Sequence, residues 1–142
     1  MRIRLLDRGF DPWREVAAYQ AEQPQLAGKF GATTVFVGTL RDFNQGETVQ
    51  RMTLEHYPDM TEKYLERVCH EAQSRWQVAD MLVIHRHGVL APNDPIVLVA
   101  VWSGHRDSAF AACRYIIDEL KTRAPFWKKE ETESGPRWVE QQ

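Results

Sequence analysis

The segment Lys121-Thr-Arg-Ala-Pro-Phe-Trp-Lys-Lys129 carries four cations and no acid, in a chain whose formal net charge is −2. Ammonium and guanidinium groups at this density bind oxyanions, because phosphate and carboxylate oxygens accept charge-assisted hydrogen bonds from them. Lys121 falls in the last turn of a predicted helix, where a cation also complements the helix dipole. Lys128 falls on a strand just past Pro125. A helix that ends, turns at a proline and returns as a strand can bring both ammonium groups toward one pocket. Lysine runs at helix ends also serve as plain solvated surface, so the segment alone does not define a site.

Two further clusters point the same way. Ser103-Gly-His-Arg106 follows a strand and opens a helix, where backbone N–H groups and the dipole favour an anion. Arg41 stands directly after the strand ending Val37-Gly38, in a polar loop. Together the three clusters predict a site for a phosphorylated or carboxylated ligand. The helix between Arg106 and Lys121 spans about fifteen residues, or roughly 22 Å, so a small metabolite cannot touch both ends. Either the two ends serve different ligands, or two copies of the chain meet so that His105 and Arg106 of one approach Lys121 of the other. The second reading is preferred and predicts a homodimer with shared sites.

Other chemistry is thinner. His85 and His87 share a strand face, as some metal pairs do, but with no carboxylate or cysteine nearby they read as structural histidines. Cys69 and Cys113 fall on apolar helix faces and read as small buried hydrophobes. Gly28 and Gly31 do not form a phosphate loop. Neither a serine-nucleophile elbow nor a zinc-protease helix is present. Trp127, between Phe126 and Lys128, can line a pocket.

These residues must be positioned by an α+β chain. Asp11-Pro12 starts a helix, with Asp as the cap and Pro at the first helical position. Thr33–Val37 is a strand by its β-branched and aromatic content. Thr39–Thr48 is polar and glycine-bearing and reads as a mobile loop. Arg51–Tyr57 alternates as a half-buried strand, with Met52, Leu54 and His56 on one face. Met60, Tyr64, Leu65, Val68, Cys69, Ala72 and Trp76 mark an amphipathic helix. Ala79–His87 and Pro95–Trp102 form an antiparallel strand pair. Asp107 or Ser108 caps a second long helix, whose buried stripe is Phe110, Cys113, Ile116, Ile117 and Leu120, and Pro125 stops it. Phe126–Glu131 and Arg137–Glu140 make a terminal hairpin. The order excludes a doubly wound nucleotide fold.

Composition narrows the class. At 142 residues with 43% hydrophobic and 27% charged residues, the chain reads as one globular domain. Two cysteines are too few for a disulfide scaffold. No apolar run approaches the ~20 residues of a membrane span, and Met1–Asp7 does not read as a signal peptide. The expected location is cytoplasmic, with neither a membrane nor a nucleic acid as partner.

The chemistry-bearing residues occur in a recognisable order. Val35-Phe-Val-Gly-Thr-Leu-Arg41, Leu54-Glu-His-Tyr57 with Met60, and His85-Arg-His-Gly88 come first. Ser103-Gly-His-Arg106, Ala109-Phe110, Asp118-Glu-Leu-Lys121, Ala124-Pro-Phe-Trp-Lys-Lys-Glu130 and Trp138-Val-Glu140 follow. This set resembles the large, catalytic subunit of molybdopterin synthase over nearly the whole chain, and no motif position breaks the pattern.

The resemblance implies an α/β hammerhead-like fold with an additional antiparallel β subdomain. It implies a sulfurtransferase that converts cyclic pyranopterin monophosphate into molybdopterin by inserting two sulfurs as a dithiolene. The sulfur would come from a ubiquitin-like small subunit whose C-terminal Gly-Gly carries a thiocarboxylate. Two large subunits would form a central homodimer within a heterotetramer. The essential lysines would be Lys121, beside the thiocarboxylate carbon, and Lys128, beside the substrate. Substrate contacts would come from Thr39, Leu40, Arg41, His105, Arg106, Lys129 and Glu130, with Arg41, His105 and Arg106 holding phosphate and pterin. Neither a metal nor a cofactor is expected.

Two other function classes compete with this reading. A non-catalytic module binding a ubiquitin-like tail would share the groove without requiring Lys121. An RNA-binding domain would use the Lys121–Lys129 patch with Phe126 and Trp127 for stacking, against which the net charge of −2 argues.

Overall fold

The computed structural model describes residues 1–44 and 46–139. In chain order the elements are β1 (Arg2–Leu6), α1 (Pro12–Ala21), a 3₁₀ turn (Pro24–Leu26), β2 (Ala32–Thr39), β3 (Phe43–Asn44), β4 (Glu47–His56) and α2 (Pro58–Arg75). Then come β5 (Asp80–Arg86), β6 (Gly88–Leu90), β7 (Pro95–Ser103), α3 (Arg106–Thr122), β8 (Phe126–Thr132) and β9 (Gly135–Val139).

Two strands are apolar on both faces, and they form the centre. Met81-Leu-Val-Ile84 in β5 and Val97-Leu-Val-Ala-Val-Trp102 in β7 are buried throughout, the pattern of strands covered on both sides. They pair antiparallel, with β1 parallel to β5 and β2 antiparallel to β7 at the far edge, giving the order β1-β5-β7-β2. Alternation divides their side chains between two cores. Met81, Val83, Val99 and Val101 face α2 and α3, while Leu82, Ile84, Leu98, Ala100 and Trp102 pack with Tyr19 and Leu26 on the α1 side.

The second sheet runs β3-β4-β8-β9, with β6 also pairing with β4. Its inner residues, Val49, Met52, Leu54, Leu90 and Phe126, join the larger core beside Ile116, Ile117 and Leu120 of α3. One apolar core therefore unites both sheets and the two long helices. The result is a mixed α+β architecture in which the C-terminal end of α3 meets the junction of the sheets.

Several local expectations are corrected. The polar stretch after Thr39 is not an open loop: Phe43 and Asn44 pair with Thr48 and Glu47, closing a hairpin around Gly46, whose φ of +81° is in the region glycine tolerates. β1 and β6 have too few alternating residues to stand out in sequence. The cap of α3 is His105, with no side-chain hydrogen bond, instead of Asp107 or Ser108. Phe110 and Met60, expected on buried stripes, are 64% and 59% exposed. Helical phase puts Phe110 on the Cys113 and Ile117 side of α3, and there it lines an open groove with Thr34, Val35 and Phe36 of β2 instead of being covered. On α2, Thr61 takes the buried place, donating its hydroxyl to the Tyr57 carbonyl at 2.9 Å. Gln45 and Glu140 lie outside the described residues.

Both cysteines are buried in the core as expected, and burial pushes the thiols of Cys69 and Cys113 up to about 12 and about 11. Among the described residues, no helix is long and apolar enough to cross a membrane.

Candidate functional site

A break in the β2–β7 ladder starts the site. Register shifts between Gly38, opposite Val97, and Thr39, opposite Pro95. A Cβ on Gly38 would lie 2.8 Å from Val97 Cγ1, so only glycine lets the strands approach this closely. Past the bulge, the Leu40 N–H donates to the Asp94 carbonyl at 3.0 Å and the Asn93 N–H to the Leu40 carbonyl at 2.8 Å. These bonds hold Thr39, Leu40 and Arg41 at the mouth of a pocket of about 180 Å³.

α3 and β8 supply the other walls. α3 delivers Lys121 in its last turn, and the inward alternation of β8 delivers Lys128 and Glu130. Asn44, Met52, Ile96 and Val139 complete the lining. Behind this pocket is a smaller recess of about 80 Å³, shared by Lys121 and Lys128 and walled by His85, Leu54 and Phe126. On the outer side, an open groove of about 400 Å³ runs between β2 and α3 past Phe36, Phe110, Cys113 and Ile117. Lys121 lines all three spaces, and its Nζ lies 6.0 Å from the centre of the Phe36 ring.

The electrostatics leave positive charge unanswered. Among the described residues, no carboxylate forms an ion pair with Arg41, Lys121 or Lys128. Glu130 is engaged elsewhere: Asn44 Nδ2 donates to both its oxygens at 3.2 and 3.1 Å, and Arg137 donates from Nε at 3.2 Å and Nη2 at 3.0 Å. Burial and the neighbouring Lys121 ammonium push the Lys128 pKa down, partly opposed by Glu130. An anion entering this pocket meets three cations against the single carboxylate of Glu130, which is already engaged by Asn44 and Arg137, and Lys128 gives up its proton more readily than an ordinary lysine.

The structure thus brings together Thr39, Leu40, Arg41, Lys121, Lys128 and Glu130. It does not bring in Lys129, which alternates to the outer face of β8, opposite Trp138, with its ammonium 5.8 Å from that indole. His105 and Arg106 also stand apart, exposed at the opposite end of α3 from Lys121. Asn44, Met52, Ile96 and Val139 carried no signal in the sequence, since neutral residues facing a pocket look like residues facing a core. Arg137 was missed because its partner Glu130 lies across a hairpin.

The start of α3 is held by a close backbone contact. The Gly31 N–H donates to the Ser103 carbonyl at 2.9 Å, and a Cβ on Gly31 would come within 2.5 Å of the Gly104 oxygen. Gly31→Ala is therefore expected to shift the Gly104-His105 segment and cost about 1–3 kcal/mol in thermal or urea unfolding. Gly104→Ala, where an added Cβ meets nothing within 4 Å, is the control and should stay within about 0.5 kcal/mol.

His85 and His87 do not form a pair. The buried His85 ring stacks on Phe126 at 4.0 Å, while His87 lies 4.4 Å from His56. Burial drives the His85 pKa down to about 4, and burial also lowers that of His56. An unfolded histidine titrates near 6.5, so on acidification the unfolded chain takes up a proton that the folded chain refuses. The His85 contribution to stability is full above about pH 6.5 and falls by about 3 kcal/mol as pH drops toward 4. Urea midpoints across that window should show the loss, and His85→Phe, which keeps the ring stack, should show less of it.

Comparison with known proteins decides the family. The MoaE protein family matches residues 11–123, and the molybdopterin synthase catalytic subunit of Ralstonia nicotianae is 54% identical over 138 residues, covering 97% of this chain and 76% of that one. The chain belongs to the MoaE family. The molybdopterin synthase catalytic subunit of Pseudomonas aeruginosa is 50% identical over 140 residues, covering 99% and 91%. Among solved structures, the molybdopterin biosynthesis MoaE protein of Burkholderia ambifaria superposes with a TM-score of 0.79 at 50% identity, covering 96% of this chain and 87% of that one. The molybdopterin synthase of Staphylococcus aureus superposes at 0.83 with 30% identity, covering 96% and 95%. The sequence-level resemblance and the expected mixed fold are thereby shown. This MoaE chain gathers its cations at the end of α3, the ends of β2 and the inner face of β8.

Proposed function

We propose that this chain is a sulfurtransferase, the catalytic subunit of a molybdopterin synthase. It would transfer two sulfurs from the C-terminal thiocarboxylate of a ubiquitin-like small subunit to cyclic pyranopterin monophosphate. One observation carries the reading: Lys121 lines an open groove, a pocket and an inner recess alike, beside Arg41 and Lys128, and among the described residues no carboxylate forms an ion pair with any of the three.

The groove suits an extended tail. β2 is the terminal strand of its sheet, so its outer edge is available to pair with an added strand. A tail laid between β2 and α3 would bring its terminal thiocarboxylate to Lys121, while the pocket of Arg41 and Lys128 takes the phosphorylated pterin. In each transfer the thiocarboxylate sulfur displaces an oxygen from a pterin side-chain carbon, the oxygen leaving as the opened phosphate ester or as water. Water then cleaves the acyl carbon–sulfur bond of the resulting thioester, leaving a carboxylate on the small subunit and a thiol on the pterin. Arg41, Lys121 and Lys128 stabilise negative charge developing on the phosphate oxygen and acyl centre. Lys128 moves protons at the pterin. The scheme draws on neither a metal nor an organic cofactor.

His105 and Arg106 fit this scheme through a second copy. A helix of this length holds them roughly 22 Å from Lys121 of their own chain, and both are exposed. In a homodimer at the centre of a heterotetramer, they would close the partner's pocket around the phosphate. The deciding experiment mixes the purified chain with thiocarboxylated small subunit and the cyclic pterin, then detects the dithiolene product. Binding of the small subunit without any product would leave only a tail-binding module.

A further inference from the structure

His85 lines the inner recess with both lysines, and nothing in the scheme above uses it. Its ring is fixed on two sides. Phe126 stacks against it with centroids 4.0 Å apart and planes at 17°. Its Nδ1 is 2.7 Å from the Arg86 carbonyl oxygen, and since a carbonyl only accepts, Nδ1 carries the proton. Nε2 is therefore the lone-pair nitrogen.

Among the described residues, the buried polar side-chain atom without a partner is Arg86 Nε. Among the described residues nothing bonds His85 Nε2, and the ring lines the recess that Lys128 also lines. The titratable groups around the ring are Lys128 from β8, Lys121 from α3, His56 from β4 and the neighbouring His87. None is an acid.

Lys128 lines both the outer pocket and this recess, so its flexible stem has two spaces to turn into. We propose that His85 is a positioning residue for Lys128, its neutral Nε2 accepting a hydrogen bond from Nζ when the side chain turns into the recess. The outer position faces the substrate and Glu130, and the inner one withdraws the amine from them. A carboxylate in place of His85 would trap the ammonium as an ion pair, whereas a neutral acceptor gives it a place to rest without holding it. The importance of this to catalysis rests on the role proposed for Lys128, but the contact itself does not.

Two amide variants test it in the full-length chain. His85→Asn keeps a donor near the Nδ1 position and is too short to reach Lys128, while His85→Gln extends an acceptor to the Nε2 position. NMR titration of the Lys128 side chain reads the contact directly, without any turnover. Losing an acceptor destabilises the ammonium, so His85→Asn should lower the Lys128 titration by about half a pH unit, with His85→Gln returning it toward wild type. Identical titrations in Asn, Gln and wild type would overturn the proposal, as would Asn and Gln shifting alike. If the wild-type chain makes no dithiolene, the titration still decides this contact, while the sulfur-transfer reading fails separately.

Discussion

Lys121→Ala lowers dithiolene formation by about a thousandfold and leaves small-subunit affinity within about threefold of wild type. The size follows from removing a preorganised cation at the point where charge develops, a loss of roughly 10²–10³ for a single stabilising group. The selectivity follows from place. Lys121 lines the groove together with Phe36, Phe110 and Ile117; in the proposed docking it would meet only the last atoms of the tail, and those apolar residues would carry most of its contact. Lys128→Ala should reduce turnover comparably, because in the proposed scheme its pocket holds the pterin. Lys121→Arg separates two roles: recovered activity would assign Lys121 to charge stabilisation, and continued loss to chemistry at the amine. Single-turnover assays and calorimetric binding of the small subunit measure both effects. Unchanged turnover in Lys121→Ala would make that residue an ordinary surface lysine.

Arg137→Ala destabilises the fold by about 3 kcal/mol and opens the wall of the pocket. Glu130 is only 2% exposed, and Arg137 gives it two hydrogen bonds while also reaching Glu47 at 2.9 Å and the Asn44 carbonyl. Truncating the guanidinium leaves a buried carboxylate with Asn44 as its remaining hydrogen-bond donor, the situation in which a broken buried pair costs several kcal/mol. The hairpin of β3 and β4 loses its Glu47 and Asn44 contacts with Arg137 of β9 in the same step. Urea denaturation checks the magnitude. The double variant Arg137→Ala with Glu130→Gln should recover about half of the loss, since no charge then needs a partner. A single-variant cost below about 1 kcal/mol would mean that water satisfies Glu130.

What could be read from the sequence follows from how each signal arises. β5 and β7 are unbroken apolar runs and announce themselves. Lys121 and Lys128 stood out because four cations without an acid are unusual in a slightly acidic chain. Arg41, weak on its own, gained meaning beside the lysine run, and the pocket places it with Lys121 and Lys128. Lys129 shows the limit of the run itself: adjacent strand residues point to opposite faces, so the residue beside Lys128 in sequence lies across the sheet from it. The hairpin at Phe43–Asn44 was hidden because its pairing is set by Glu130 and Arg137, about ninety residues away. Phe110 had the right helical phase, but it opens onto the groove between β2 and α3.

The rod Arg106–Thr122 fixes both distance and angle between its two cationic ends. Each residue added within it would advance Lys121 by about 1.5 Å and swing it through about 100°, so a single insertion would aim the ammonium away from the three spaces it lines. Seven added residues would restore the bearing to within about 20°, but only by lengthening the rod roughly 10 Å. Length changes are therefore affordable at the Glu133-Ser134 turn and prohibited between Arg106 and Lys121: this helix is the molecule's calibrated ruler.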